Sequence, residues 1–330
     1  MPTLFGFNAF LRCAPEDASQ PYGTANTTSS EQVDIRLNSS TLQTLQERPR
    51  KTNLSVPATG MLASTFDAFR TSGGNVDIPI QYNGSGMFFY AALGTLATTG
   101  SGPTYTHTYS PAFALPALTI QFQRGSNLTN SMEQFTGAMV SSMSISCAAG
   151  EEMTASFDLI AKDSSARGAM SPSTGTFPAG DSVLHFEAGN LTMSGTLTPS
   201  TLEIRSFEMT LDNKLERKNI LGSKLTGKPV ISDVREITMS VTADVDDNDV
   251  YNDQLAGNSG DVTIVFTSTA TSAHKITFKL DNAVIEDYSD SVTSFGRVER
   301  TFTIRGLASS SDDGFNIVVI NANSSATVGP

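Results

Sequence analysis

From Ile78 to Gln123 the chain carries no Asp, Glu, Lys or Arg. An uncharged segment of that length has three available fates: a membrane span, a buried core, or a surface that something else covers. The first is excluded. Pro79, Pro103, Pro111 and Pro116 interrupt the segment, Gly and Thr recur through it, and it holds no apolar run of the roughly 18 residues that a spanning helix needs. Two readings stand: core alone, or core plus a face that another copy of the chain covers.

The rest of the composition points to strands. Roughly a quarter of the 330 residues are Ser or Thr, only 16% are charged, and Lys and Glu runs are scarce, which suits strands and turns better than helical bundles. Hydrophobic residues, at 38%, are enough for one or two cores, so bulk disorder is disfavoured. Two cysteines, Cys13 and Cys147, provide neither a disulfide framework nor a Cys-based metal cluster. The net charge of −12 is held unevenly: residues 1–170 carry 9 basic and 12 acidic groups, residues 171–330 carry 12 and 21. Such a balance disfavours a basic surface gripping nucleic-acid phosphates. MPTLFGFNAFLRCAPEDAS has no basic n-region and no A-x-A pattern, which predicts a protein made and kept in the cytosol.

Along the chain, residues 12–60 read as an arm and a long loop, with one weak extended stretch at Val33–Leu37. Strands are predicted at Asn75–Tyr82, Tyr105–Tyr109, Leu118–Gln123, Ala138–Cys147 and Glu152–Ala161. A short apolar helix at Ser85–Leu93 is closed by Gly94. Residues 163–182 are rich in Ser, Gly and Pro and read as a linker. Beyond it, strands are predicted at His185–Glu187, Leu191–Leu197, Leu202–Leu211, Glu236–Val245, Val262–Thr267, Lys275–Leu280 and Val298–Arg305. A polar loop spans Asp212–Asp233, and a helix at Asp247–Ala256 is closed by Gly257. The order of long loop, strand, short helix ending in Gly, then strands thus occurs twice. Local echoes accompany it, such as Phe157 and Ile160 against Phe302 and Ile304, and a structural repeat is expected. The expected division is an N-terminal arm and loop over 1–60, a first core over 61–163, a linker over 164–182 and a second unit over 183–330.

Chemistry is sparse. His107, His185 and His274 fall in predicted strands with no second ligand at metal spacing, and no nucleophile elbow, phosphate loop or HExxH is present. Glu151 and Glu152 are adjacent on a strand, so they point to opposite faces and cannot share one substrate. Sequon triplets are expected by chance at this Ser/Thr content. No enzyme, cofactor or metal is therefore expected. Asp244, Asp246, Asp247, Asp249 and Asp253 lack the glycine and closing glutamate of a calcium loop and read as a helix start. The 212–233 loop is locally basic, with Lys214, Arg217, Lys218, Lys224 and Lys228; it is either solvated or docked on an acidic surface of another copy, for which the Asp cluster is the candidate.

Taken in order, APEDASQPYGTA, NVDIPIQYNGSGMFFYAALG, YTHTYSP with LPALTIQFQRG, FTGAMVSSMSISCAAGEEMTASFDLIAK, SFEMTLDNKLE and RVERTFTIRGLASSSDDGFNIVVINA resemble the major tail tube protein of long, non-contractile bacteriophage tails. The likeness covers nearly the whole chain. It implies a mainly β chain with two tandem tail-tube-like β-sandwich or half-barrel domains, each with a short flanking α-helix. It also implies a structural virion protein, assembled in the host cytoplasm, whose copies form rings stacked into a hollow tail tube that delivers DNA. Its partners would be itself, as trimers with pseudo-sixfold symmetry, other tail proteins at the two ends, and DNA passing through the lumen without tight binding; no membrane is involved. The family's long inter-strand loop reaches the adjacent ring, which carries over to Asp212–Asp233 and, secondarily, to Leu45–Pro57. The alternative is a β-rich adhesin or tail-tip receptor-binding module, against which the absence of Trp counts.

Overall fold

A computed structural model of the chain describes residues 6, 8–49, 65–102, 104–125, 130–169, 175–177, 183–198, 202–268, 273–291, 298–308 and 314–325. They are mainly β with two short helices. The first half runs through β1 (Phe10–Pro15), β2 (Val33–Arg36), β3 (Ser39–Ser40), β4 (Gln43–Gln46), β5 (Arg70–Pro79), α1 (Gly86–Leu93), β6 (Gly94–Ser101) and β7 (Thr104–Pro111). It continues with β8 (Leu118–Gln123), β9 (Met132–Ala148), β10 (Thr154–Ala161) and β11 (Asp163–Ser164). The second half holds β12 (Gly189–Met193), β13 (Ile204–Asp212), β14 (Leu215–Lys218), β15 (Gly227–Ile231) and β16 (Glu236–Asp244). It ends with α2 (Asp249–Ala256), β17 (Ser259–Thr267), β18 (Lys275–Ser291), β19 (Glu299–Arg305) and β20 (Phe315–Asn321).

The pairings recur between the halves. In the first, β1 pairs β8, β8 pairs the start of β9, the end of β9 pairs β10, β10 pairs β5, and β5 pairs β3 and β4. In the second, β12 pairs β17, β17 pairs the start of β18, the end of β18 pairs β19, β19 pairs β16, and β16 pairs β13. Two 17-residue strands, β9 and β18, make this possible by serving two sheets each. A strand of that length must bend to do so. Each carries one positive-φ residue at its bend, Gly137 (φ 65°) and Asn282 (φ 48°), two residues ahead of its first pair with β10 or β19. Register also shifts at matching places, between Leu118 and Ile120 and between Gly260 and Val262.

The helices differ because their sequences do. GMFFYAAL in α1 is apolar all round and is buried at Met87, Phe88, Phe89, Ala91, Ala92 and Leu93. DVYNDQLA in α2 buries only Val250 and Asp253. Both end at a left-handed glycine, Gly94 (φ 100°) and Gly257 (φ 65°). One cluster of buried side chains runs through both halves, with Phe88 stacked on Phe157 at 4.7 Å and Phe89 edge-on to Phe278 at 6.4 Å.

Two seams join the halves. The end of β9 pairs β13, from Ser142↔Asp212 to Ala148↔Ser206. The β6–β7 hairpin, which has no counterpart among the described residues of the second half, pairs β7 with β20. Buried side chains tie both seams. Asn213 donates to the carbonyls of Ala92 (2.9 Å) and Val140 (3.0 Å). The His107 ring, fully buried, bonds Thr98, Asn321 and the Asn323 carbonyl.

Several expectations need correction. Residues 12–60 are not a plain arm and loop, since β1 to β4 lie within or across them; β1 escapes the alternation rule because its Arg12 is buried against Asp34 of β2 at 2.6 Å. His185–Glu187 is no strand: Phe186–Ala188 forms a 3₁₀ turn. Of the three histidines only His107 lies in a strand. Asp212–Asp233 is not an irregular loop but contains the β14–β15 hairpin.

Substituting Phe157 with Ala removes the ring stacked on Phe88 at the centre of the first half. Chemical denaturation is expected to show a loss of about 3–5 kcal/mol, with the far-UV spectrum of the native state retained.

Candidate assembly surfaces

Strands β4, β5, β10, β9, β13, β16, β19 and β18 lie side by side in that order. Side chains alternate across such a sheet. One face turns Val76, Ile78, Met143, Ile145, Phe157, Phe207, Met209, Met239, Val241, Phe302 and Ile304 into the core. The other presents Asn75, Ser142, Ser144, Ser146, Ser156, Thr210, Thr238, Ser240, Thr242, Thr301 and Thr303. The high Ser/Thr content thus has a location: a hydroxyl-lined wall across both halves. Its charges are mostly carboxylates, Asp77, Asp158, Glu208, Glu236 and Glu299, and burial raises the carboxyl pKa of Asp158 above its usual value. The cations bordering it are already held: Arg305 by Glu286 (2.5 Å) and Arg205 by Asp244 (2.9 Å) and Glu299.

Strand edges without a partner strand among the described residues include β3–β4 at one end of this sheet, the 287–291 end of β18 at the other, and, outside it, β6 beyond β7, β2 beyond β1 and β12 beyond β17. An open edge presents unpaired N–H and C=O groups, a template for another chain. β6, GTLATTGS, falls inside the charge-free segment and is largely exposed, whereas α1 and β8 of the same segment are buried. The segment therefore contains both core and uncovered surface.

The five basic residues of 212–233 do not act as one patch. Lys214 pairs with Asp212 (2.9 Å) and Glu236 (3.2 Å), and these carboxylates raise its pKa. Lys224 pairs with Asp67 (2.9 Å). Arg217 is turned inward, donating to the carbonyls of Ser72 (2.7 Å) and Ala161 (3.4 Å), and pins the β14–β15 hairpin to the ends of β5 and β10. Lys218 and Lys228 are exposed, with no ion pair among the described residues. Ile220 and Leu221 stand exposed in the connection between β14 and β15. At the hairpin's base, residues 111–113, 231–237, Gly306 and Phe315 border an apolar groove of about 670 Å³, where Phe113 is 88% exposed.

The acidic cluster is likewise divided. Asp244 is buried and held by Arg205, and Asp247 by Arg300 (3.1 Å). Asp253 is buried, accepting from the Thr198 N–H (2.5 Å) and Asn258 (2.7 Å). Asp247 also accepts the Asp249 N–H at 3.1 Å, in keeping with a helix start. Asp246 is exposed and Asp249 half-buried. Of the secondary loop, Leu45–Pro57, only residues up to 49 are described.

The edge residues were not singled out in the sequence. Thr41–Leu45 shows no apolar alternation, and in β18 the charges at Glu286, Asp287 and Asp290 hide a strand continuing past Leu280. Lining by four arginines marks one further place: Arg48, Arg70, Arg124 and Arg167, with Asp67 and Glu133, surround a polar cleft of about 590 Å³ beside β4.

The family model described as phage tail tube protein matches residues 6–306 of the chain. No curated protein matches it.

Replacing Arg217 with Ala frees the hairpin from β5 and β10. Hydrogen exchange is expected to accelerate within Leu215–Ile231, while amides of β9 and β13 keep their protection.

Proposed function

The chain belongs to the phage tail tube protein family and is a structural component of the virion tail, and on that premise we propose that its copies close into rings that stack as a hollow tube for DNA delivery. The observation that carries this reading is the seam between β9 and β13. It joins two halves of matching topology inside one chain, while the sheet so formed still ends in two open edges. A head-to-tail contact between unlike edges generates a closed ring when the rotation closes. With two tandem tube-like units per chain, divided at 164–182, a trimer holds six units in pseudo-sixfold arrangement. Residues 170–174 and 178–182 of that linker lie outside the described residues.

The hydroxyl-lined face is the natural lumen wall. Serine and threonine hydroxyls are polar enough to be wet and carry no charge to hold a phosphate, and the scattered carboxylates repel it. DNA would slide past such a wall without counterion release to reward binding. Stacking falls to the β14–β15 hairpin, whose exposed Ile220, Leu221, Lys218 and Lys228 are available for an adjacent ring. The acidic counter-surface narrows to Asp246 and Asp249, whose neighbours in the cluster are taken up internally.

Electron microscopy of purified protein, alone or with tail partners, is expected to show rings or hollow tubes, with a native mass of three chains per ring. A protein that stays monomeric at high concentration and with tail partners overturns the reading. Placing lysines at Ser144, Thr210 and Thr242 is expected to leave tubes intact but make them retain DNA in a gel-shift assay at low salt. Leu221→Asp with Lys218→Glu is expected to leave rings and abolish tubes.

A further inference from the structure

The two halves share not only topology but register, which allows the internal seam to be transposed. Through their bulged pairing with β10 and β19, Ser142, Met143, Ser144, Ile145 and Ser146 of β9 correspond to Asp287, Tyr288, Ser289, Asp290 and Ser291 of β18. Through their pairing with β5 and β16, Thr41, Leu42, Gln43, Thr44 and Leu45 correspond to Glu208, Met209, Thr210, Leu211 and Asp212 of β13. In the internal seam Glu208 faces Ser146, Met209 faces Ile145 and Thr210 faces Ser144. Neither transposed edge has a partner strand among the described residues; on the Thr41–Leu45 side the Leu42 N–H and C=O are held by side chains, Ser40 Oγ (3.2 Å) and Arg124 (2.8 Å), which a pairing strand replaces.

We propose that the end of β18 of one copy pairs antiparallel with Thr41–Leu45 of a second copy, Ser291 opposite Thr41, Asp290 opposite Leu42, Ser289 opposite Gln43, Tyr288 opposite Thr44 and Asp287 opposite Leu45. This inference rests on the ring reading above and deepens it by naming the joint. It repeats between chains the seam that β9 and β13 make within one.

Charge distinguishes the two joints. Where the internal seam sets Ile145 beside Met209, the joint between copies sets Asp290 beside Leu42. A carboxylate covered there needs a cation. Within its own chain Asp290 lies opposite Arg300 of β19, which is itself paired with Asp247. The second copy adds a further cation, Arg124, which donates to the Leu42 carbonyl at 2.8 Å and to Glu133 at 2.7 Å and whose Nε is buried without a hydrogen-bond partner among the described residues. Arg124 belongs to the cleft that four arginines and two carboxylates line beside β4. The open end of β18 carries Asp287 and Asp290, both exposed. An acidic edge thus meets a cationic cleft, which sets direction and register and excludes like-to-like pairing of two acidic edges.

Paired cysteines test the register. Gln43 and Ser289 are exposed, while the native Cys13 and Cys147 are both buried, their thiol pKa values raised chiefly by burial, so background oxidation is low. Gln43→Cys with Ser289→Cys is expected to give covalent dimers and trimers on mild oxidation, and Leu45→Cys with Ser291→Cys, four residues out of register, none. Rings seen by microscopy with no Gln43–Ser289 cross-link, or with the Leu45–Ser291 one instead, overturn this joint and leave the ring reading standing. Absence of rings in the unsubstituted protein overturns both. Asp290→Arg is expected to abolish rings with an unchanged far-UV spectrum; rings that survive it, and whose assembly is insensitive to salt between low and high ionic strength, refute the Arg124 pairing.

Discussion

A sheet must end somewhere, and at its end every backbone N–H and C=O that points outward needs a partner. In this chain that constraint is met internally wherever the halves touch: β9 continues into β13 and β7 into β20. It is left open at β3–β4, at the end of β18 and at β6. The open edges are short or carry polar side chains, which suits strands meant for one chosen partner rather than for any exposed edge.

The bent strands are the device that lets one chain build both kinds of surface. Because β9 and β18 each turn at a positive-φ residue, their first parts close the core under β8 and β17 while their last parts enter the eight-strand sheet. The core side of that sheet is filled by large apolar side chains and by α1, whose every-face hydrophobicity demands burial. Its other side needs only to be polar and extended, and Ser and Thr meet both needs through their hydroxyls and, for Thr, β-branching. The tube proposed above is well served by such a wall, since it offers a phosphate neither a free cation nor an apolar surface.

Much of the fold was legible. Leu118–Gln123 alternates cleanly and is β8 to the residue; the strands ending at Ala161 and Arg305 and both glycine-capped helices follow from alternation and from the left-handed conformation that glycine tolerates. β1 was missed because its buried Arg12 is neutralised by Asp34, a partner 22 residues away. The hairpin within 212–233 reads as a loop in the sequence because charges fall on both faces of β14, Glu216 and Lys218 on the exposed one and Arg217 on the part-buried one, so no apolar alternation marks it. The basic residues there looked like one patch, yet Lys214, Arg217 and Lys224 are consumed by partners brought close only by folding.

By itself the sequence determined that the chain is β-rich and that two glycine-capped helices punctuate a repeated order of elements. These properties follow from side-chain periodicity and backbone stereochemistry, which act over a few residues. Only the tertiary structure decided which strands pair, that Ser and Thr gather on one face, and which charges remain available to a partner. Strand pairing and ion pairing join residues far apart in the chain, and their choice depends on register and burial, which no local pattern encodes.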